Sequence, residues 1–187
     1  MPSRPSEKPS LAQIQAAANQ TVPDIIAPDL KVLFCGINPS LYSAAVGHHF
    51  ARPGNRFWPA LAAAGITDRR YSPFEDRLLL ILGYGITNIV ERATARADQL
   101  TAAELEAGRH ALLQKLMQYQ PQILAILGIS AYRTAFRQPK AKIGRQEDLP
   151  DDLLACQLWV LPNPSGLNAH YQLADLAEVY RGLAVNL

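Results

Sequence analysis

The feature that most constrains this chain is an apolar run that stops at a glycine and delivers a carboxamide. Val32-Leu33-Phe34-Cys35 leads into Gly36-Ile37-Asn38-Pro39-Ser40. Four consecutive apolar residues rich in β-formers are the pattern of a strand covered on both faces. Gly36 permits a close backbone approach or a turn, and Pro39 biases Asn38 away from the helical region. In open α/β sheets ligands bind beyond the carboxyl ends of the strands. Asn38 is therefore either a site residue or the side chain of a plain Asx turn after a strand.

A second run near the other end has matching punctuation. Leu158-Trp159-Val160-Leu161 leads into Pro162-Asn163-Pro164-Ser165-Gly166-Leu167, so both segments end in Asn-Pro-Ser with a glycine close by. Two strand ends of this kind predict two loops lining one cleft.

Between and around them, strand and helix signals alternate. Lys31–Cys35, Tyr84–Val90, Ile123–Leu127 and Leu158–Leu161 read as core strands. Helices are expected over Arg56–Gly65, from an Ser72 cap and Pro73 to about Leu82, from the Thr101-x-x-Glu104 capping box to Tyr119, over Ser130–Phe136 and over Leu173–Leu183. Ser40–Asn55 reads as one long loop, a length that is usually functional, and Gln138–Asp152 as a charged loop. The alternation predicts a three-layer α/β/α fold with a central, mainly parallel sheet. Residues 21–187 form one domain in this reading. Residues 1–20 form a disordered or weakly ordered extension, with a short helix over Leu11–Asn19 as its only regular element.

The net charge of +2 permits an anionic partner without demanding one. Two cysteines, Cys35 and Cys156, are too few for a disulfide framework or a four-cysteine cluster. No apolar stretch has the length of a membrane span and no signal-peptide pattern opens the chain, which predicts a cytoplasmic protein that does not engage membranes. His48, His49, His110 and His170 match no metal-ligand spacing. No glycine-rich phosphate loop follows a strand. Neither Ser40 nor Ser165 has the Gly-x-Ser-x-Gly frame of a hydrolase nucleophile.

What remains is a cleft of amides, aromatics and a few basic residues. Phe50 either stacks on a planar ligand or anchors its loop in the core. Leu167, among small and polar neighbours, either caps the core or stands exposed as a wedge.

Together these segments resemble the uracil-DNA glycosylase superfamily, in its mismatch-specific, thymine-DNA glycosylase-like branch. The resemblance rests on Phe34–Ser40, on Phe50-Ala-Arg-Pro-Gly-Asn-Arg-Phe-Trp58, on Gly85-Ile-Thr, on Ile126-Leu-Gly128 and on Trp159–Leu167. They occur in the family's order and span about residues 22–183. It implies a monomeric, monofunctional enzyme of base excision repair with no metal or cofactor. Its partner would be double-stranded DNA carrying G·U mismatches, its product uracil, with thymine and other modified pyrimidines as a wider range. The same resemblance places Asn38 at the catalytic position and Phe50 under the flipped base. Ile37, Ser40, Ser43 and Asn163 would complete the base pocket. Leu167 would fill the vacated space in the duplex, with Gly166, Asn168, His170 and Arg56 on the DNA side. Glu91 would either assist water activation or pair with Arg92. His48, His49 and His170 would sit in DNA-side loops and touch phosphate or the orphan base, and Arg52, Arg56, Lys140, Lys142 and Arg145 are candidates for phosphate contacts. The competing readings are a non-catalytic nucleic-acid binding module on the same fold and a small esterase using Ser40 or Ser165.

Overall fold

The computed structural model describes residues 8–147 and 156–185. Its centre is a five-stranded sheet built on β1 (Val32–Gly36), every residue of which is buried. β2 (Tyr84–Asn88) lies parallel on one side of β1, and β3 (Ile123–Leu127) parallel on the other. β5 (Gln157–Leu161) extends the parallel set beside β3. A two-residue strand, β4 (Gly144–Arg145), closes that edge antiparallel to β5. The strand order is β2-β1-β3-β5-β4. The chain leaves β1 outward to β2 and then returns across it to β3. The crevice between the carboxyl ends of β1 and β3 is thus a topological switch point, where open α/β sheets bind ligands.

The period-two alternation of a strand sorts each run onto two faces. Phe34, Ile86, Ala125 and Leu161 join a core cluster with α3 (Phe57–Ala63), the 3₁₀ helix Pro73–Leu82 and α6 (Leu173–Ala184). Leu33, Cys35, Leu124, Ile126 and Leu158 join the other, with α4 (Ala102–Tyr119) and α5 (Ile129–Ala135). The result is a three-layer α/β/α arrangement with helices on both faces. In α4, Gly108 is required by space: a Cβ there would lie 2.1 Å from the Ile89 carbonyl oxygen.

Several elements differ from their sequence expectation. The stretch Ser40–Asn55 is not one loop, because it opens with α2 (Leu41–Val46). Ser40 caps that helix by accepting from the Ser43 amide, and Gly47 ends it in the left-handed region at φ 73. β2 stops at Asn88; beyond it, the Ile89 and Val90 amides donate to the Gly36 and Ile37 carbonyls. Pro73–Leu82 is 3₁₀ rather than α. The expected charged loop contains β4, and its residues 148–152 lie outside the described residues, as do residues 1–7.

Within the proposed extension, α1 (Leu11–Ala16) opens on a Ser10–Gln13 capping box, and Ala17 beyond it is buried. Two backbone hydrogen bonds then tie Asn19 and Gln20 to Ala93, and the Asn19 side chain accepts from Arg92. Deleting residues 1–20 should lower the melting temperature by about 4–8 °C. This corresponds to roughly 2 kcal/mol for the lost hydrogen bonds in a domain of this size. An unchanged melting temperature would show that this segment contributes no stability.

Candidate active site

A pocket opens at the crevice between β1 and β3, walled by Gly36–Ser40, by the loop carrying Phe50, by Thr94–Ala97 and by Asn163, Ser165 and Leu167. Its central group is the half-buried Asn38 carboxamide. The amide nitrogen donates to the Arg92 carbonyl at 3.0 Å and to Thr94 Oγ1 at 2.8 Å. A carbonyl can only accept, and the Thr94 hydroxyl spends its own hydrogen on the Arg96 carbonyl. Both neighbours are therefore acceptors, which fixes the amide nitrogen toward them and leaves Oδ1 to accept from something else.

The backbone around Asn38 is stitched to the segment after β2. Beyond the Ile89 and Val90 contacts, the Thr94 amide donates to the Pro39 carbonyl. Arg92 is held in turn by Glu104, whose hydrogen bonds from Arg92 and the Thr101 amide keep its carboxyl down at about 2. Because that pKa lies below the ordinary 4.5, the pair's contribution is present above about pH 4.5 and fades toward pH 2.

Phe50 anchors its loop on the core and also faces the pocket. Its ring stacks on Phe57 at 4.1 Å and 27°, and it also lines the pocket. A Cβ on Gly36 would meet the Phe50 ring at 3.3 Å and Asn88 Oδ1 at 2.5 Å, so glycine is what admits both side chains beside the strand end. The Phe50 backbone sits at φ 53 and is held from several sides. The Ala51 amide donates to Ser43 Oγ, Trp58 Nε1 donates to the His49 carbonyl, and Asp76 accepts from the His49 amide.

Those contacts correct the expectation for the two histidines. His49 is buried, and its Nε2 donates to the Pro23 carbonyl at 2.9 Å. Burial lowers its pKa, so the ring is neutral and serves the loop rather than phosphate. His48 Nδ1 bonds the buried Asp76 carboxylate at 3.0 Å, and its ring packs edge-on against Phe74.

Of the other base-pocket candidates, Ile37, Ser40, Ser43 and Asn163 all line the cavity. Ser40 and Ser43 are bonded to each other as well as capping α2. Asn163 Oδ1 accepts from the Ser165 amide, which leaves its amide hydrogens for a ligand. Leu167 is 63% exposed at the pocket rim, which decides between its two readings in favour of the exposed one. Gly166 lies against the Gly54 backbone, where a Cβ would approach its carbonyl oxygen to 2.7 Å. Asn168 is internal to the loop: its amide donates to the Asn163 carbonyl and its Oδ1 accepts from the His170 amide. His170 is exposed beside it.

Two expectations are overturned. The Arg56 guanidinium does not face outward toward a phosphate. It donates to the carbonyls of Ser165, Asn168 and Tyr171, while the Arg56 amide donates to Pro164. It is a clamp on the loop that carries Leu167. Glu91 does not line the pocket and does not pair with Arg92; it is 61% exposed and bonds Lys115 at 3.1 Å. Lys140, Lys142 and Arg145 are likewise away from the pocket, whereas Arg52 lines it.

Sequence reasoning missed Asn88, Thr94 and Arg96. Asn88 is buried at the carboxyl end of β2, level with Gly36; Ile89 and Val90 continue the apolar pattern past it, which hid the strand end in the sequence. Thr94 and Arg96 carried no local signal. Burial pushes the Cys35 thiol up, which makes it an inert core residue.

A model of the uracil DNA glycosylase superfamily matches residues 23–184. The chain belongs to that superfamily. Among solved structures, it is similar to the solution structure of a uracil DNA glycosylase candidate from Methanosarcina acetivorans. That likeness has a TM-score of 0.54 at 15% identity and covers 89% of this chain and 98% of the other. At that identity the likeness concerns the fold, and it agrees with the superfamily's three-layer architecture. The superfamily match begins after α1, so the segment bracing Ala93 lies outside it.

Proposed function

We propose that this superfamily member is a monofunctional DNA glycosylase of base excision repair. In this reading it removes uracil from G·U mismatches, acting as a monomer in the cytoplasm without metal or organic cofactor. The observation that carries the reading is the convergence of four groups on one pocket: the Asn38 amide, the Phe50 ring, the Asn163 amide and an exposed Leu167.

Each group answers a requirement of the chemistry. A base inside a duplex is out of reach and must be extruded, at a cost of a few kcal/mol. A G·U wobble lowers that cost. Leu167 occupies the gap left in the stack, and exposed apolar surface gains from burial there. The extruded ring lies on Phe50. Asn38 Oδ1 accepts from a water and aims it at the sugar carbon as the glycosidic bond breaks. Leaving uracil carries negative charge, which the free Asn163 amide hydrogens and nearby backbone donors meet. An amide orients water but is a weak base, so the chemistry is slow beside a site with a carboxylate at that position. The small Ser40 and Ser43 side chains leave room for a 5-substituent, which extends the substrates to thymine and modified pyrimidines.

A panel of duplexes tests this, with G·U, A·U, G·T and single-stranded uracil compared under single turnover. Release should be fastest from G·U. Detectable DNA binding with no base released from any member would favour a non-catalytic binding module instead. In the same assay Leu167→Ala should slow release from duplex by about thirtyfold, because about 2 kcal/mol of wedge burial is lost. Single-stranded substrate, which has no gap to fill, should be unaffected. Equal slowing on both would remove the wedge role.

A further inference from the structure

We infer that Thr94 is a positioning residue that sets the direction of the Asn38 amide. The inference deepens the proposed function and rests on it only for its kinetic consequence. Thr94 is 6% exposed, and its hydroxyl does two things at once. It donates to the Arg96 carbonyl at 2.8 Å, which commits its hydrogen, and it therefore presents lone pairs to Asn38 Nδ2, also at 2.8 Å. The Arg92 carbonyl takes the second amide hydrogen at 3.0 Å. A side-chain amide turned by half a rotation would set Oδ1 against two acceptors. The turned state is thereby excluded, and Oδ1 faces the pocket in every molecule rather than in a fraction of them.

The same residue is anchored through its backbone. Its amide donates to Pro39, and the preceding residue is pinned by Asn19 and Gln20. Its hydroxyl thus links two segments that are distant in sequence, the end of β1 and the segment after β2, whose Arg96 lines the pocket. A residue serving only the packing of this corner would need its methyl group and not its hydroxyl. The two roles are separable because valine keeps the shape of threonine and loses the lone pairs.

The test uses the full chain with Thr94→Val, Thr94→Ser and Thr94→Ala. Under single turnover on a G·U duplex, Thr94→Val and Thr94→Ala should release uracil about ten to a hundredfold more slowly with DNA affinity unchanged. Thr94→Ser should stay within about threefold of the parent. In an Asn38→Ala background, Thr94→Val should add no further slowing, since the two residues act as one unit. A readout that needs no activity accompanies these. The Asn38 side-chain NH₂ signals in a nitrogen–proton spectrum, assigned by their loss in Asn38→Ala, should exchange slowly with water in the parent and in Thr94→Ser, and fast in Thr94→Val and Thr94→Ala. Parent-like exchange in Thr94→Val overturns the inference, as does additive slowing with Asn38→Ala. A parent protein that releases no uracil while showing protected amide hydrogens would count against the proposed function and leave the positioning role standing. Should Thr94→Val not fold, Thr94→Ala and Thr94→Ser decide between them.

Discussion

Replacing Asn38 with alanine should slow uracil release from a G·U duplex by at least about a hundredfold, the order of loss when the group that positions a reactant is removed. DNA affinity should change by no more than about twofold, because Asn38 lines the pocket and the proposed function has the duplex rest on its rim. The side chain has a single free acceptor, Oδ1, and both hydrogens are engaged by Arg92 and Thr94. Alanine removes the acceptor that orients water and leaves those two groups without their donor. Water entering the enlarged pocket satisfies them, so the loss of stability should stay near the low end of the roughly 1–3 kcal/mol range for an unpaired buried acceptor. Excess enzyme over substrate, with melting temperature and affinity measured on the same preparation, separates the three quantities. Retained release with impaired binding would make Asn38 a contact residue and move the chemistry elsewhere.

Arg56→Ala should also have a large effect, through the loop that carries Leu167. The guanidinium holds three carbonyls from Ser165, Asn168 and Tyr171, and the Arg56 backbone amide at the start of α3 donates to Pro164. Hydrogen bonds from a charged donor are worth roughly 1.5–3 kcal/mol each, so release from duplex should fall by more than tenfold and the melting temperature should drop. Arg56→Lys distinguishes this role from the phosphate contact expected from sequence. An ammonium keeps the charge but cannot span three carbonyls in fixed directions. Under the clamp, lysine should behave nearly as badly as alanine, and the salt dependence of DNA binding should keep its slope. Under a phosphate contact, lysine should rescue, and alanine should reduce the slope by about one.

What the sequence disclosed follows from how far each interaction reaches along the chain. β1, β3 and β5 were legible because a strand buried on both faces writes itself as an apolar run, whereas β2 (Tyr-Gly-Ile-Thr-Asn) is mixed and ends two residues before its expected limit. The start of α4 was legible because Thr101 and Glu104 cap one another three residues apart. Asn38, Phe50 and Asn163 stood out as special residues at strand ends or in a glycine-rich loop. α2 was missed because its small residues carry little periodicity, although Ser40 and Gly47 mark its ends. Glu91 and Arg92 are neighbours in sequence yet bond Lys115 and Glu104, 24 and 12 residues away. The partners of Arg56 lie 109 to 115 residues away, and Thr94 meets Asn38 across 56. No local pattern encodes such pairings; they exist only once the sheet has ordered its strand ends.

The proposed function requires one pocket to receive one everted pyrimidine. The most direct measurement is a mass balance. A G·U duplex is incubated with excess protein, and free uracil is quantified against alkali-labile sites in the uracil strand. The two should appear in equal amounts and at one rate, with the guanine strand intact. Bound duplex that yields neither product would contradict the proposed function.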